Sequence, residues 1–168
     1  MSHRRPEPVE VVDYDPTWPD EYERLKLRVL DALRDNVVRI EHVGSTAVPG
    51  LAAKPIVDLY AVVLDLDRAS EQLSAIGYTP QGDLGVHGRI GFDWPAGEKR
   101  HHLYICRPDH AGLDSVVRFR DRMRSTPNKA LEYADLKREL AARHRNDRDA
   151  YALGKSHFIE EVIEDQYA

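Results

Sequence analysis

Gly44-Ser45-Thr46-Ala47-Val48-Pro49-Gly50-Leu51-Ala52-Ala53-Lys54-Pro55-Ile56-Val57-Asp58 decides how the rest of the chain is read. An apolar run over residues 37–43 precedes it, and a second, over residues 56–64, takes over before it ends. Both runs have the length of strands. The stretch is therefore a connection between two strands that collects glycines, hydroxyls and a lysine. One carboxylate sits inside the second strand. That layout suits gripping a phosphate beside a metal ion.

Along a strand, Ile56, Asp58, Tyr60 and Val62 share one face, and Val57, Leu59, Ala61 and Val63 share the other. Both faces are apolar, as in a central strand covered on both sides. An ionised Asp58 is costly there unless it meets a cation, a metal or several donors. Asp58 is therefore read as a functional carboxylate, with a salt bridge to a nearby Arg or Lys as the alternative.

Outward from this pair, residues 9–13 read as a short strand and Asp15-Pro16 as a turn. Thr17 is placed to cap a helix in which Trp18, Tyr22, Leu25, Val29 and Ala32 form one buried face, running to about Asp35. Residues 66–76 read as a helix stopped by Gly77. Gly82, Gly85, Gly88, Gly91 and Gly97 crowd the next segment, which is either turn chemistry or a flap over a site. Within it, residues 89–94 are a strand, and residues 100–106 are its expected hairpin partner. Three helices come next, over 114–125, 128–145 and 147–167, the last with Tyr151, Phe158, Ile159, Val162 and Ile163 on one stripe. Strands first and helices last give an α+β fold, a mixed sheet with a helical C-terminal half. A single domain over 8–168 with a flexible N-terminus, 1–7, is expected.

Composition narrows the function. The chain has 168 residues, 24 basic and 29 acidic, for a net charge of −5. That balance opposes a general nucleic-acid binder. No apolar run reaches the roughly 18 residues of a membrane span, and the first eight residues do not read as a signal peptide. One cysteine, Cys106, excludes an internal disulfide. A cytoplasmic protein with a small-molecule or nucleotide ligand, and no membrane, is expected.

Several residues can carry chemistry. Glycine lets backbone approach an anion at Gly44-Ser45-Thr46, and the two hydroxyls add donors; helix capping is the bland alternative. Lys54, extended before Pro55, either points at a bound phosphate or is a surface lysine. His42, Asp58 and one of His101 and His102 can converge on a divalent ion if their strands are neighbours, with imidazole favouring Mn²⁺ or Zn²⁺ over Mg²⁺; histidines satisfied by hydrogen bonds alone are the alternative. Lys155 lies four residues after Tyr151 and three before Phe158, on the apolar stripe, where it either snorkels or reaches into a site. The arginines at 118, 120, 122 and 124 alternate around their helix and read as a solvated face.

Together these motifs resemble the GrpB-like family. Tyr14-Asp15-Pro16-x-Trp18, His42-Val43-Gly44-Ser45-Thr46-Ala47-Val48-Pro49-Gly50, Lys54-Pro55-Ile56-Val57-Asp58, His101-His102-Leu103 and Tyr151-x-x-x-Lys155-x-x-Phe158-Ile159 carry the resemblance, over about residues 8 to 165. It implies a polymerase-β-type nucleotidyltransferase-like fold, with Gly44 and Ser45 in the phosphate turn and Asp58 at the metal position, where Mg²⁺ or Mn²⁺ is the expected ion. It also implies kinship with a folding accessory domain fused to dephospho-CoA kinase. Resemblance and residue reading together make Asp58 and Lys54 the candidate catalytic residues, Gly44, Ser45, Thr46 and Lys155 the candidate ligand-holding residues, and Asp58, His42 and His102 the candidate metal ligands. Two departures stand out. Active nucleotidyltransferases carry a second acid two residues after the first and a third on a later strand. This chain has Tyr60 at the former place, and His102 and Tyr104 at the latter.

Overall fold

The computed structural model describes residues 7–165. The expected flexible N-terminus, except for Glu7, and the expected last residues of the final helix lie outside the described residues. Five strands, β1 (Val37–Val43), β2 (Val57–Val63), β3 (Thr79–Pro80), β4 (Arg89–Asp93) and β5 (His101–Cys106), form one sheet in the order β1-β2-β5-β4-β3. β2 runs antiparallel to β1 and parallel to β5, and β4 pairs antiparallel with both β5 and β3. The sheet is mixed and the fold is α+β, as expected. Strands β4 and β5 are hairpin partners, as expected, while two-residue β3, half of it proline, gives no periodic signal and escapes a sequence reading.

Two helices, α1 (Trp18–Leu33) and α2 (Leu66–Ala75), cover one face of the sheet. Leu25, Leu33, Leu59, Leu73, Leu103 and Ile105 are sealed in this layer. The buried stripe of α1 ends on Leu33 rather than Ala32, because a step of four from Val29 stays on the inner face. Thr17 occupies the cap position of α1 without capping it through its side chain. Instead Asp15 accepts from the Thr17 amide at 2.8 Å and its hydroxyl at 2.7 Å, an Asx-type turn that aims the helix. The expected strand over 9–13 reduces to one bridge between Val12 and Ala53.

Three helices, α3 (Ala111–Ser125), α4 (Pro127–Arg143) and α5 (Arg148–Glu164), make the C-terminal half. α3 begins earlier than its expected start at 114. Leu113, Val116 and Val117 of α3 pack on Val43, Tyr60, Val62 and Cys106 of the sheet's second face. Val48, Leu51 and Ala52 of the β1–β2 connection insert among Phe119, Met123, Tyr133, Ala134 and Val162. The connection thus pins sheet to helices, and a cavity is left where they meet.

Candidate functional site

Asp58 sits in β2 opposite Val43 on one side and His102 on the other. Its Oδ1 is 2.6 Å from Nδ1 of His102. Both side chains stay partly open, at 31% exposure for His102 and 25% for Asp58. The chain leaves β1 through Gly44, whose φ of 73° is reached readily only without a Cβ. A Cβ there would stand 2.4 Å from Oδ2 of Asp58, so the glycine is required twice over. Residues Ser45–Ala47 then make a single 3-10 turn.

These groups line one side of a cavity of about 310 Å³. The other side comes from the C-terminal helices, with Phe119, Tyr133, Ile159 and Ile163 as its apolar part. Three lysines, Lys54, Lys137 and Lys155, also line it. The Lys155 ammonium lies 4.5 Å from the centroid of the Tyr151 ring, and Lys54 lies 5.3 Å from the same ring. Lys137 lies 4.6 Å from the Tyr133 centroid and donates to the Ala52 carbonyl. Ring faces attract ammonium groups, but each such contact contributes only about 0.5–2 kcal/mol. Among the described residues, none of the three forms an ion pair with a carboxylate.

Burial therefore acts on the lysines with little to oppose it. It pushes Lys137 down to about 7, with Lys155, Arg138 and Lys54 lowering it further. It pushes Lys155 down to about 8; Lys54 adds to the fall and Asp58 works against it. Lys54 is lowered too, again by burial first. Three ammonium groups that resist their own charge, facing one carboxylate already bonded to His102, make an environment that favours an anion.

The two histidines opening β5 separate cleanly. His102 faces the cavity; His101 points to the α1–α2 layer, with Nε2 2.7 Å from the Tyr78 hydroxyl and Nδ1 2.8 Å from the Lys99 carbonyl. His42 does not join Asp58 and His102. It pairs with Leu59 in the sheet, and so lies on the opposite face. Its ring stacks on Tyr22 at 4.4 Å, and its Nε2 is 3.0 Å from Thr46 Oγ1. Burial holds it neutral, at about 4. The expected ligand set of His42, Asp58 and His102 is corrected on this geometry, and no group of three acid, histidine or cysteine side chains among the described residues is arranged to hold a metal.

Other expectations fare unevenly. Lys54 and Lys155 both line the cavity rather than the outer surface. The arginines of α3 are not a uniform solvated face. Arg120 is buried and donates to Glu41 at 2.7 Å and to the His42 carbonyl at 2.9 Å, while Arg124 donates to the Ala47 carbonyl at 2.8 Å. They fasten β1 and the turn to α3. Tyr60 and Tyr104, at the places of the absent acids, hold Arg89: its guanidinium donates to the Tyr60 hydroxyl at 2.9 Å and lies 4.4 Å from the Tyr104 ring centroid. Lys137 is a cavity residue that the sequence reading misses, and Tyr133, inward on the expected helix over 128–145, lines the cavity with it. The signal for Lys137 is present all the same: Tyr133-x-x-x-Lys137-x-x-Leu140 repeats the spacing of Tyr151-x-x-x-Lys155-x-x-Phe158.

Comparison with known proteins agrees with this architecture. A family profile described as "GrpB protein" matches residues 8–165. The UPF0157 protein YqkA of Bacillus subtilis is 35% identical over 159 residues, which span 93% of this chain but 46% of that protein. A dephospho-CoA kinase of Mycolicibacterium paratuberculosis is 29% identical over 88% of this chain and 43% of its own length. The chain thus spans about half the length of these relatives. The crystal structure of conserved protein GrpB from Enterococcus faecalis superposes with a TM-score of 0.83 at 32% identity, covering 92% of this chain and 94% of that one.

Proposed function

The chain belongs to the GrpB family, and from that premise we propose that its cavity binds a phosphate-bearing small molecule, a nucleotide foremost. One observation carries the reading: three lysines with no carboxylate partner open on the same cavity as the Gly44 turn. A di- or triphosphate supplies the missing negative charge, and charge-assisted contacts of this kind contribute about 1.5–3 kcal/mol each. The apolar wall of Phe119, Ile159 and Ile163 accepts the rest of the ligand. The buried, unpaired Cys106 supports a cytoplasmic setting, and no helix among the described residues is long and apolar enough to cross a membrane.

The acids distinguish two readings of the chemistry after binding. Two-metal phosphoryl transfer needs carboxylates on both sides of the reacting group. Here the second and third places hold Tyr60 and Tyr104 around a guanidinium, which repels a cation. The residues do not fit a two-metal centre. A single Mg²⁺ or Mn²⁺ at Asp58 is the most this donor set supports. The same observation favours a second reading, a binding or folding accessory module, and the similarity to one part of a dephospho-CoA kinase supports it.

Thermal shift with nucleoside mono-, di- and triphosphates, with and without Mg²⁺ or Mn²⁺, tests the proposal. Stabilisation that grows with phosphate number and is lost in Lys137→Met and Lys155→Met is the expected result. No stabilisation by any of them would overturn it.

A further inference from the structure

We propose that Nε2 of His102 is a nucleophile that accepts the nucleotidyl group of a nucleoside triphosphate, a step that rests on the cavity being a nucleotide site. Three groups are contiguous. The Gly44 turn approaches Oδ2 of Asp58 so closely that a Cβ would stand 2.4 Å from it. The other oxygen of Asp58 holds Nδ1 of His102 at 2.6 Å. His102 lines the same cavity as Gly44, Ser45 and Thr46, so a phosphate seated on the turn shares that space with the imidazole.

The carboxylate decides which nitrogen reacts. An ionised Asp58 only accepts, so Nδ1 is the proton-bearing nitrogen and Nε2 keeps its lone pair. Among the described residues Nε2 has no hydrogen-bond partner, in contrast to His101, both of whose ring nitrogens are occupied. The absent acids make the same point. Deprotonating an acceptor hydroxyl calls for a metal or a spare carboxylate, and Tyr60 and Tyr104 stand where that carboxylate would be. A neutral imidazole attacks without losing a proton first.

Atoms and charge balance in this step. The Nε2 lone pair forms a bond to the α-phosphorus. The bond from that phosphorus to the α–β bridging oxygen breaks, and pyrophosphate leaves with the electron pair toward Lys54, Lys137 and Lys155. The imidazole becomes cationic, and its Nδ1 proton stays in the bond to Asp58, whose charge offsets it. Water or an acceptor hydroxyl then attacks the phosphorus, the bond from Nε2 to phosphorus breaks with its electron pair returning to the imidazole, and the acceptor's proton passes to solvent. His102 is the catalytic residue of this step, and Asp58 is a positioning residue.

The test incubates the full chain with ATP, GTP, CTP and UTP labelled at the α-phosphorus, with and without Mg²⁺ or Mn²⁺. Samples are quenched in alkali, and melting temperatures are read in parallel. A covalent label that survives alkali, is lost in acid and maps to His102 within residues 101–107 is expected. His102→Gln removes it. Asp58→Asn keeps the nucleotide-induced melting shift while labelling falls by a factor on the order of 100 or more; an equal loss of both would make Asp58 a binding residue and overturn its positioning role. Mapping on the wild-type chain keeps the proposal open to refutation even if a variant misfolds. A nucleotide that raises the melting temperature yet leaves no label, or a label on another residue, overturns the nucleophile and leaves the binding site standing. No melting shift and no label bring down both.

Discussion

The sheet presents two faces with opposite treatments of polar groups. Toward α1 and α2, the titratable side chains are closed off: His42 is stacked on Tyr22 and bonded to Thr46, and His101 is held by Tyr78 and Lys99. Toward α3, α4 and α5, Asp58, His102 and three lysines share a cavity with few partners of their own. Neighbouring residues of one strand are divided this way, His101 from His102 and Leu59 from Asp58. The alternation of a β-strand, one residue per face, thus separates a structural layer from a candidate reactive one. Groups on the first face commit their hydrogen-bonding capacity to the fold, while on the second, among the described residues, Nε2 of His102 and the ammonium groups of Lys54 and Lys155 make no hydrogen bond.

The comparison breaks most visibly through volume. Leu59 is fully buried in the closed layer. Leu59→Ala should cost about 3 kcal/mol, the usual loss for a truncated core leucine. Urea denaturation reads this, and ligand affinity of the folded fraction should be unchanged. A loss of affinity matching the loss of stability would mean that the faces are not independent.

Next in size is the hinge between the faces. Gly44 and Gly50 both have positive φ, at 73° and 80°, but a Cβ meets Asp58 at the first and nothing within 4 Å at the second. Gly50→Ala should cost about 1 kcal/mol for the backbone alone. Gly44→Ala should cost about 2 kcal/mol or more, because Asp58 must also move. The difference between the two variants isolates the contact at the site.

Smaller still is the effect of the lysines on binding. Lys137→Met or Lys155→Met should weaken pyrophosphate binding about 10-fold or more, as expected for one lost charge-assisted contact. Calorimetry in dilute salt measures it. The pH dependence separates the faces further. Lys137 and Lys155 are held at about 7 and about 8, below the usual 10.5 of lysine. Between those values the unfolded chain binds more protons than the folded one, so stability of the free protein should rise with pH there. His42, held at about 4 against the usual 6.5, gives a separate rise across that lower window. Lys137→Met should flatten the upper rise and leave the lower one. Anion affinity should run the other way, falling as pH passes 7 to 8 and the ammonium groups lose their protons.

Legibility in the sequence divides along the same line. Strands β1 and β2, helix α2 and the turn between the strands are readable because apolar periodicity and glycine chemistry are local. Asp58 stands out because a charge within a two-sided apolar strand is anomalous wherever the strand lies. Register is not local, and the metal triad fails on that point: β1 and β5 both flank β2, as the triad needs, but His42 pairs with Leu59 and so falls on the face opposite Asp58. Tyr60 reads as a missing acid, yet its clasp on Arg89 exists only once the β4–β5 hairpin is in place. Lys137 escapes for a different reason. On α5 the lysine lies on a continuous apolar stripe that marks it as inward, whereas on α4 charged neighbours interrupt the stripe, and the same Tyr-x-x-x-Lys spacing does not stand out.

The finest probe lies where the two faces touch. Thr46 belongs to the cavity wall, yet its hydroxyl bonds Nε2 of His42, on the closed face, at 3.0 Å. Thr46→Val keeps the volume and removes the hydroxyl, leaving a buried ring nitrogen without its partner. That should cost about 1 kcal/mol, near the low end for an unsatisfied buried group. Thr46→Ser, which keeps the hydroxyl, should recover most of it. If the hydroxyl serves only the fold, pyrophosphate affinity should be equal in the two variants once each is folded. A selective loss of affinity in Thr46→Val would instead assign the hydroxyl to the ligand as well, and place the boundary between the structural and the reactive layer inside this one side chain.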